Sequence, residues 1–225
     1  MTPQFKRNVL SVIGLAVFVF FAAATSNLKD VQNRNGNVNS TSPTHAADVT
    51  TYTNSSQKFS GTLQENYVDF SFDYPNTWKR DENAGKGDSP NFVKVERATD
   101  DKITTENFAV GYFTGQKDAM PQLANQLSQQ FSGGFPEYKK VSEGETHVGS
   151  YDGYEFRFTA HAKDTPNGDL DIWGRAVLLP GGDDRKGAVL IMLATSASDA
   201  VKSVNDVGET GELPLILNSF RFGKG

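Results

Sequence analysis

The chain has 225 residues, of which 37% are hydrophobic, 11% aromatic and 22% charged, a balance that supplies one sizeable core and excludes global disorder. Its 27 acidic against 22 basic residues give a net charge of −5, so there is no cationic surplus to neutralise phosphates and nucleic acid is not an expected partner. The absence of cysteine excludes disulfides, a thiolate nucleophile, cysteine-ligated zinc or iron–sulfur centres, and lipid attached to a cysteine.

At the N-terminus, Lys6 and Arg7 precede an uncharged, largely apolar run from Val9 to Ala24, the pattern of a secretory signal. Ala22 and Ala24 are the small residues a signal peptidase requires, so cleavage after Ala24 is expected. The uncharged stretch from Asn8 to Leu28 also reaches the roughly 20 residues of a membrane-spanning helix, which leaves an uncleaved anchor as the alternative. Residues 1–25 therefore read as a signal peptide or N-terminal membrane anchor, and the folded part as extracytoplasmic: periplasmic, lumenal or secreted, tethered if the anchor is kept. Residues 26–58 are rich in Asn, Ser and Thr and read as a flexible spacer. Asn39 and Asn54 fit the N-glycosylation pattern, but the abundance of Asn and Ser accounts for both matches.

Residues 59–225 carry the folding signals. Val68 to Tyr74 alternates strictly and ends at Pro75-Asn76, which predicts a half-buried strand. Further strands are expected at Phe92–Ala98, Asn107–Thr114, Tyr138–His147, Gly153–His161, Leu170–Leu179 and Gly187–Thr195. Asn167-Gly168 is a hairpin dipeptide, so the strands carrying His161 and Trp173 are expected to be antiparallel neighbours. Ala188 to Ala194 is continuously apolar, which requires cover on both faces of that strand. Asp118 is placed to cap a helix in which Met120, Leu123, Ala124, Leu127 and Phe131 form one stripe, stopped by Gly133-Gly134. A second helix is expected around Asp199–Asn205 and a third over Leu213 to Phe220, with Pro214 in its first turn. The fold class is α+β: an α/β/α sandwich with a largely antiparallel sheet of about six to eight strands and helices on both faces.

Two stretches carry a resemblance. Phe70 to Lys79 contains Tyr74-Pro75-Asn76-Thr77-Trp78, and Leu213 to Phe222 contains Asn218-Ser219-Phe220. Together they resemble the PsbP-like superfamily, whose domains open with a strand and a Tyr-Pro-x-x-Trp turn and close with a helix running into a Ser-Phe strand. The resemblance spans about Phe59 to Phe222 and implies an α/β/α sandwich acting by binding a partner. Tyr74, Pro75 and Trp78 map onto the family turn, where their role is structural: Pro fixes φ and Trp buries apolar area beside the sheet. Cyanobacterial homologues are typically anchored through a lipidated cysteine, which this chain lacks, so no photosynthetic role is implied.

Catalytic patterns are missing from the sequence. No Gly-x-Ser-x-Gly elbow, His-Glu-x-x-His pair or dinucleotide fingerprint occurs, and Glu209 and Glu212 form an acid pair of a kind common by chance. Asp164 to Asp171 lacks the spacing and closing Glu of a calcium loop, and Gly181 to Gly187 lacks that of a phosphate loop. Of three histidines, His161 shares the polar side of its strand with Glu155 and Arg157, which reads as a half-exposed surface. His147 shares a face with Glu143 and Glu145, a set that reads as a solvated strand face or a weak divalent-cation site. The expected function is that of a non-catalytic exported domain, without a cofactor, that binds a protein partner or assists assembly of a membrane-associated complex. The alternative is a small-ligand or metal carrier with a pocket between sheet and helix, lined by Trp173, Tyr154 and Phe156.

Overall fold

A computed structural model describes residues 48–87, 89–100, 103–165, 168–182 and 186–223. Lys6, Arg7, Ala22, Ala24 and most of the expected spacer lie outside the described residues. In chain order the elements are β1 (Val49–Thr53), α1 (Gly61–Glu65), β2 (Phe70–Pro75), β3 (Lys79–Arg80), β4 (Asn91–Ala98), β5 (Thr104–Thr114), α2 (Met120–Gly134), β6 (Lys139–Val148), β7 (Tyr151–Thr165), β8 (Gly168–Pro180), β9 (Lys186–Thr195), α3 (Leu213–Ser219) and β10 (Arg221–Phe222).

Seven strands form one antiparallel sheet in the order β3-β4-β5-β9-β8-β7-β6, and β1-β2-β10 form a second, smaller one. The apolar strand β9 is central, and its alternate side chains feed two separate cores. Val189 and Ile191 meet the stripe of α2, together with Phe113, Phe156 and Phe158. Ala188, Leu190 and Met192 meet the small sheet and α3, through Phe70, Phe72, Ile216 and Leu217. That two-sided burial is why the β9 sequence does not alternate. Each fully buried Leu or Phe of these cores contributes about 1.5–3 kcal/mol, an upper estimate since unfolded chains already bury some area. The fold is α+β with helices on both faces, as expected, and the second face is shared with the three-stranded sheet.

Three local expectations are corrected. The folded unit begins before Phe59, because β1 pairs with β2 inside the expected spacer. Its Val-Thr-Thr-Tyr-Thr sequence is polar, yet β-branched residues suit a strand, and the buried Tyr52 ring packs 5.4 Å from that of Phe72. Asn54, at the spacer's end, is fully buried, with its amide donating to Val68 O at 2.8 Å, so its glycosylation pattern is not presented to a modifying enzyme. Asp118 does not cap α2, for it lies in a 3-10 turn, Lys117–Ala119, whereas the helix ends at Gly134, where the Gly133-Gly134 stop places it. The expected helix at Asp199–Asn205 is an irregular segment with one 3-10 turn at Val204–Asp206, because the Lys202 amide donates to Asp206 Oδ2 and the Ser198 carbonyl accepts from Lys202 Nζ, the two backbone groups that a first helical hydrogen bond would join.

Candidate functional site

On the face opposite α2, the small sheet and α3 cover β4, β5 and β9, and a strap of residues 198–212 lies over β7 and β8. Charged side chains from the sheet hold it. Arg157 on β7 donates from Nη1 to the carbonyls of Val204, Asn205 and Val207 at 3.1, 3.2 and 3.1 Å. Its Nε donates to Glu155 Oε1 and its Nη2 to Glu209 Oε1, both at 3.1 Å. Arg175, directly opposite Arg157 on β8, donates to Glu155 Oε2 and Glu209 Oε1, both at 2.8 Å. Burial alone would raise the Glu155 carboxyl, but Arg175 and Arg157 outweigh it and hold it below its ordinary range.

The strap is tied at both ends. Ser198 Oγ donates to Oε1 of the fully buried Glu106 at 2.5 Å and accepts the amides of Ala200 and Val201. Glu106 Oε2 faces Arg97 Nη1 at 3.7 Å, beyond hydrogen-bond reach. Arg97 in turn approaches Glu212, whose Oε2 accepts the Trp78 indole N–H at 2.8 Å. Of the turn residues, Trp78, 3% exposed, reaches the strap through Glu212, while Pro75 ends β2 with its carbonyl accepting the Trp78 amide at 2.9 Å, and Tyr74 is half-buried. Glu209 and Glu212, paired in the sequence reading, bind different arginines on different strands.

The polar side of β7 is therefore not a solvated surface. Glu155 and Arg157 side chains are 16% and 11% exposed beneath the strap, and His161, farther along, is 30% exposed. His161 Nδ1 lies 2.8 Å from Asp171 Oδ1 and edges a cleft of about 490 Å³ beside Pro136, Glu137 and Lys163. Glu137 and Lys163 form an exposed ion pair there, lowering the carboxyl pKa and raising that of the amine. The Ser196 hydroxyl accepts the Asp171 amide at 3.1 Å.

Glu143, Glu145 and His147 do share one face of β6, opposite Phe156, Tyr154 and Asp152 of β7. They do not converge: Glu143 accepts from Lys140 at 2.8 Å, and His147 Nδ1 lies 2.8 Å from Asp152 Oδ1. Among the described residues no group of three His, Asp or Glu side chains is placed to hold a metal ion. The aromatic pocket expected from Trp173, Tyr154 and Phe156 is also not formed. Tyr154 and Phe156 pack against the α2 core, whereas Trp173 belongs to the opposite one, because its β8 position pairs with Thr159 rather than with them.

β6 forms one end of the seven-stranded sheet, so its outer backbone edge has no strand partner among the described residues. A bulge between Lys140 and Ser142 turns Val141 outward, 48% exposed, and Glu145 has no charged partner among the described residues. Sequence reasoning found this strand but not its place in the sheet. Arg175 was also missed, although a lone Arg between Trp173-Gly174 and the apolar Ala176-Val177-Leu178 is the signature of a buried, paired cation.

No family model and no curated protein matches the chain. Among solved structures, the chain is similar to cyanobacterial PsbP (CyanoP) from Synechocystis, with 16% identity and a TM-score of 0.48 over 82% of this chain and 98% of that one. It is also similar to LpqN of Mycobacterium tuberculosis, described as involved in cell envelope biogenesis, with 9% identity and a TM-score of 0.45 over 78% of this chain and 92% of that one.

Proposed function

We propose that the chain is a non-catalytic, extracytoplasmic module that binds a protein partner of a membrane-associated complex, and that the partner contributes an extended segment to the outer edge of β6. The observation that carries this reading is β6 itself, a strand of 10 residues whose outer edge pairs with nothing among the described residues. Open strand edges are templates for a further strand: backbone hydrogen bonds supply affinity and alternate side chains supply specificity. The outward Val141 offers an apolar contact and Glu145 a place for a basic residue of the incoming segment. Lys139 and Lys140 at the start of the strand disfavour indiscriminate pairing, which suits a specific partner better than self-aggregation.

Export rests on Lys6, Arg7 and the apolar run to Ala24. No helix among the described residues is long and apolar enough to cross a membrane. The reading is tested by capturing partners of the tagged full chain from its own membranes, with and without Val141→Asp. A partner captured in stoichiometric amount and lost with V141D, while the thermal midpoint stays unchanged, supports it. Equal capture by both forms removes β6 as the binding edge.

A further inference from the structure

A second concavity, of about 460 Å³, lies between the segment around Lys58 and the connection from β3 to β4. Its floor is apolar, formed by the edges of the Tyr52, Phe59 and Phe92 rings, each buried in the core. Its rim is cationic: Lys58, Arg80 and Lys86 all line it and all reach solvent. None of the three has a carboxylate partner among the described residues, and Lys58 Nζ instead stands 5.7 Å from the Tyr52 ring centroid. Asp81 is engaged by Lys94 at 2.9 Å, which leaves Glu82 as the one other carboxylate lining it among the described residues. In a chain of net charge −5, this is a local reversal of sign.

The rim is built, not draped. The Gly85 amide donates to Asn91 O at 2.8 Å, the Asp81 amide donates to Lys94 O at 2.9 Å, and the Asn83 amide donates to Asp81 Oδ1 at 2.8 Å. Gly85 has φ +80, and a Cβ there would stand 2.8 Å from the Phe59 ring and 2.9 Å from Phe92 O. Only glycine lets the rim settle this closely onto the aromatic floor. The concavity is thus preformed, with an apolar base lined by three cations that have no carboxylate partner among the described residues.

We infer that this concavity binds an anionic amphiphile: a phosphate or carboxylate group seated among Lys58, Arg80 and Lys86, with its apolar body resting on the aromatic floor. Its size fits one small-molecule group rather than an extended peptide. It uses none of the residues of the β6 edge, so it stands or falls independently of partner binding there.

The test is a titration of the chain as recovered from its host with three probes: hexyl phosphate, inorganic phosphate and hexanol, followed by amide NMR. Saturable binding of hexyl phosphate is expected, with shifts centred on Tyr52, Gly85 and Lys86. Inorganic phosphate and hexanol should each bind at least about tenfold more weakly, because each supplies only half of the recognition. The triple variant K58Q/R80Q/K86Q should lose about tenfold or more in hexyl phosphate affinity with an unchanged thermal midpoint, since all three side chains are exposed. Equal binding of hexyl phosphate and inorganic phosphate, unchanged affinity in the triple variant, or shifts centred elsewhere would each overturn the assignment. Phosphatidylglycerol vesicles that displace bound hexyl phosphate would identify the natural ligand as a lipid headgroup; failure to displace it would identify a soluble amphiphile.

Discussion

Replacing Arg157 by Met keeps much of the side-chain volume but removes the guanidinium that clamps the strap. Three backbone carbonyls, of Val204, Asn205 and Val207, lose their donor, and Glu155 keeps only Arg175 as a charged partner. Hydrogen bonds to a charged group contribute about 1.5–3 kcal/mol each, but these share one cation and one loop, so they do not add. Breaking a buried ion pair by removing one partner costs about 3–5 kcal/mol. The Arg157 side chain is 11% exposed, which places it near that range, whereas Glu209 is 56% exposed and its pairing contributes at most about 1 kcal/mol. Urea denaturation should therefore show Arg157→Met destabilised by about 3–4 kcal/mol, and Glu209→Gln by no more than about 1. For a domain of this size the thermal midpoint of Arg157→Met should fall by roughly 6–16 °C. Hydrogen exchange should locate the change: amides of residues 198–212 lose protection first, while those of β9 keep theirs until global unfolding. If Arg157→Met costs no more than Glu209→Gln, or if exchange rises uniformly, the clamp does not hold the strap.

Acid should loosen the same latch. The folded-state pKa of Glu155 is depressed by Arg175 and Arg157, so its contribution is complete above the ordinary carboxylate value and is lost as the pH falls through the depressed one. Denaturation midpoints taken from pH 7 to pH 3 should decline in the wild type and decline less steeply in Glu155→Gln, which is already weaker at pH 7. Trp78→Phe should cost about 1–3 kcal/mol by calorimetry, because it removes the only N–H that the indole gives to Glu212 and leaves a small void in a core site. Gly174→Ala should destabilise by about 1–3 kcal/mol or prevent expression, because the added methyl would fall inside the Phe158 ring across the β7–β8 pair.

The elements with a strong period were legible in the sequence. The stripe from Met120 to Phe131 specified α2 and its buried face, and the unbroken run from Ala188 to Ala194 specified a central strand covered twice. Elements whose stability comes from tertiary contacts were not legible. β1 is polar, with Tyr52 as its one buried side chain, and it exists because β2 offers it a partner edge. The segment from Asp199 to Asn205 has helical composition, but side chains take the Lys202 amide and the Ser198 carbonyl, and an arginine far away in the sequence takes the carbonyls of Val204 and Asn205. The buried charge network was half visible. Glu155 and Arg157 were read correctly as one face of one strand, but period-2 reasoning assigns polar faces to solvent and has no means of seeing a strap laid over them. His147, Glu143 and Glu145 show the converse, because sharing a face brought them to one surface without bringing their donor atoms together.

Partner binding at β6 is tested most directly by a photo-activated cross-linker introduced at Val141 of the full chain, expressed from its own locus and irradiated in intact membranes. A control at Gln129, on the exposed side of α2, probes a surface assigned no partner. A single reproducible adduct from Val141, absent from Gln129 and mapping to an extended segment of one protein, is the predicted result. Adducts of equal yield from both positions, or none from Val141 while the chain is folded and abundant, would contradict partner binding at this edge.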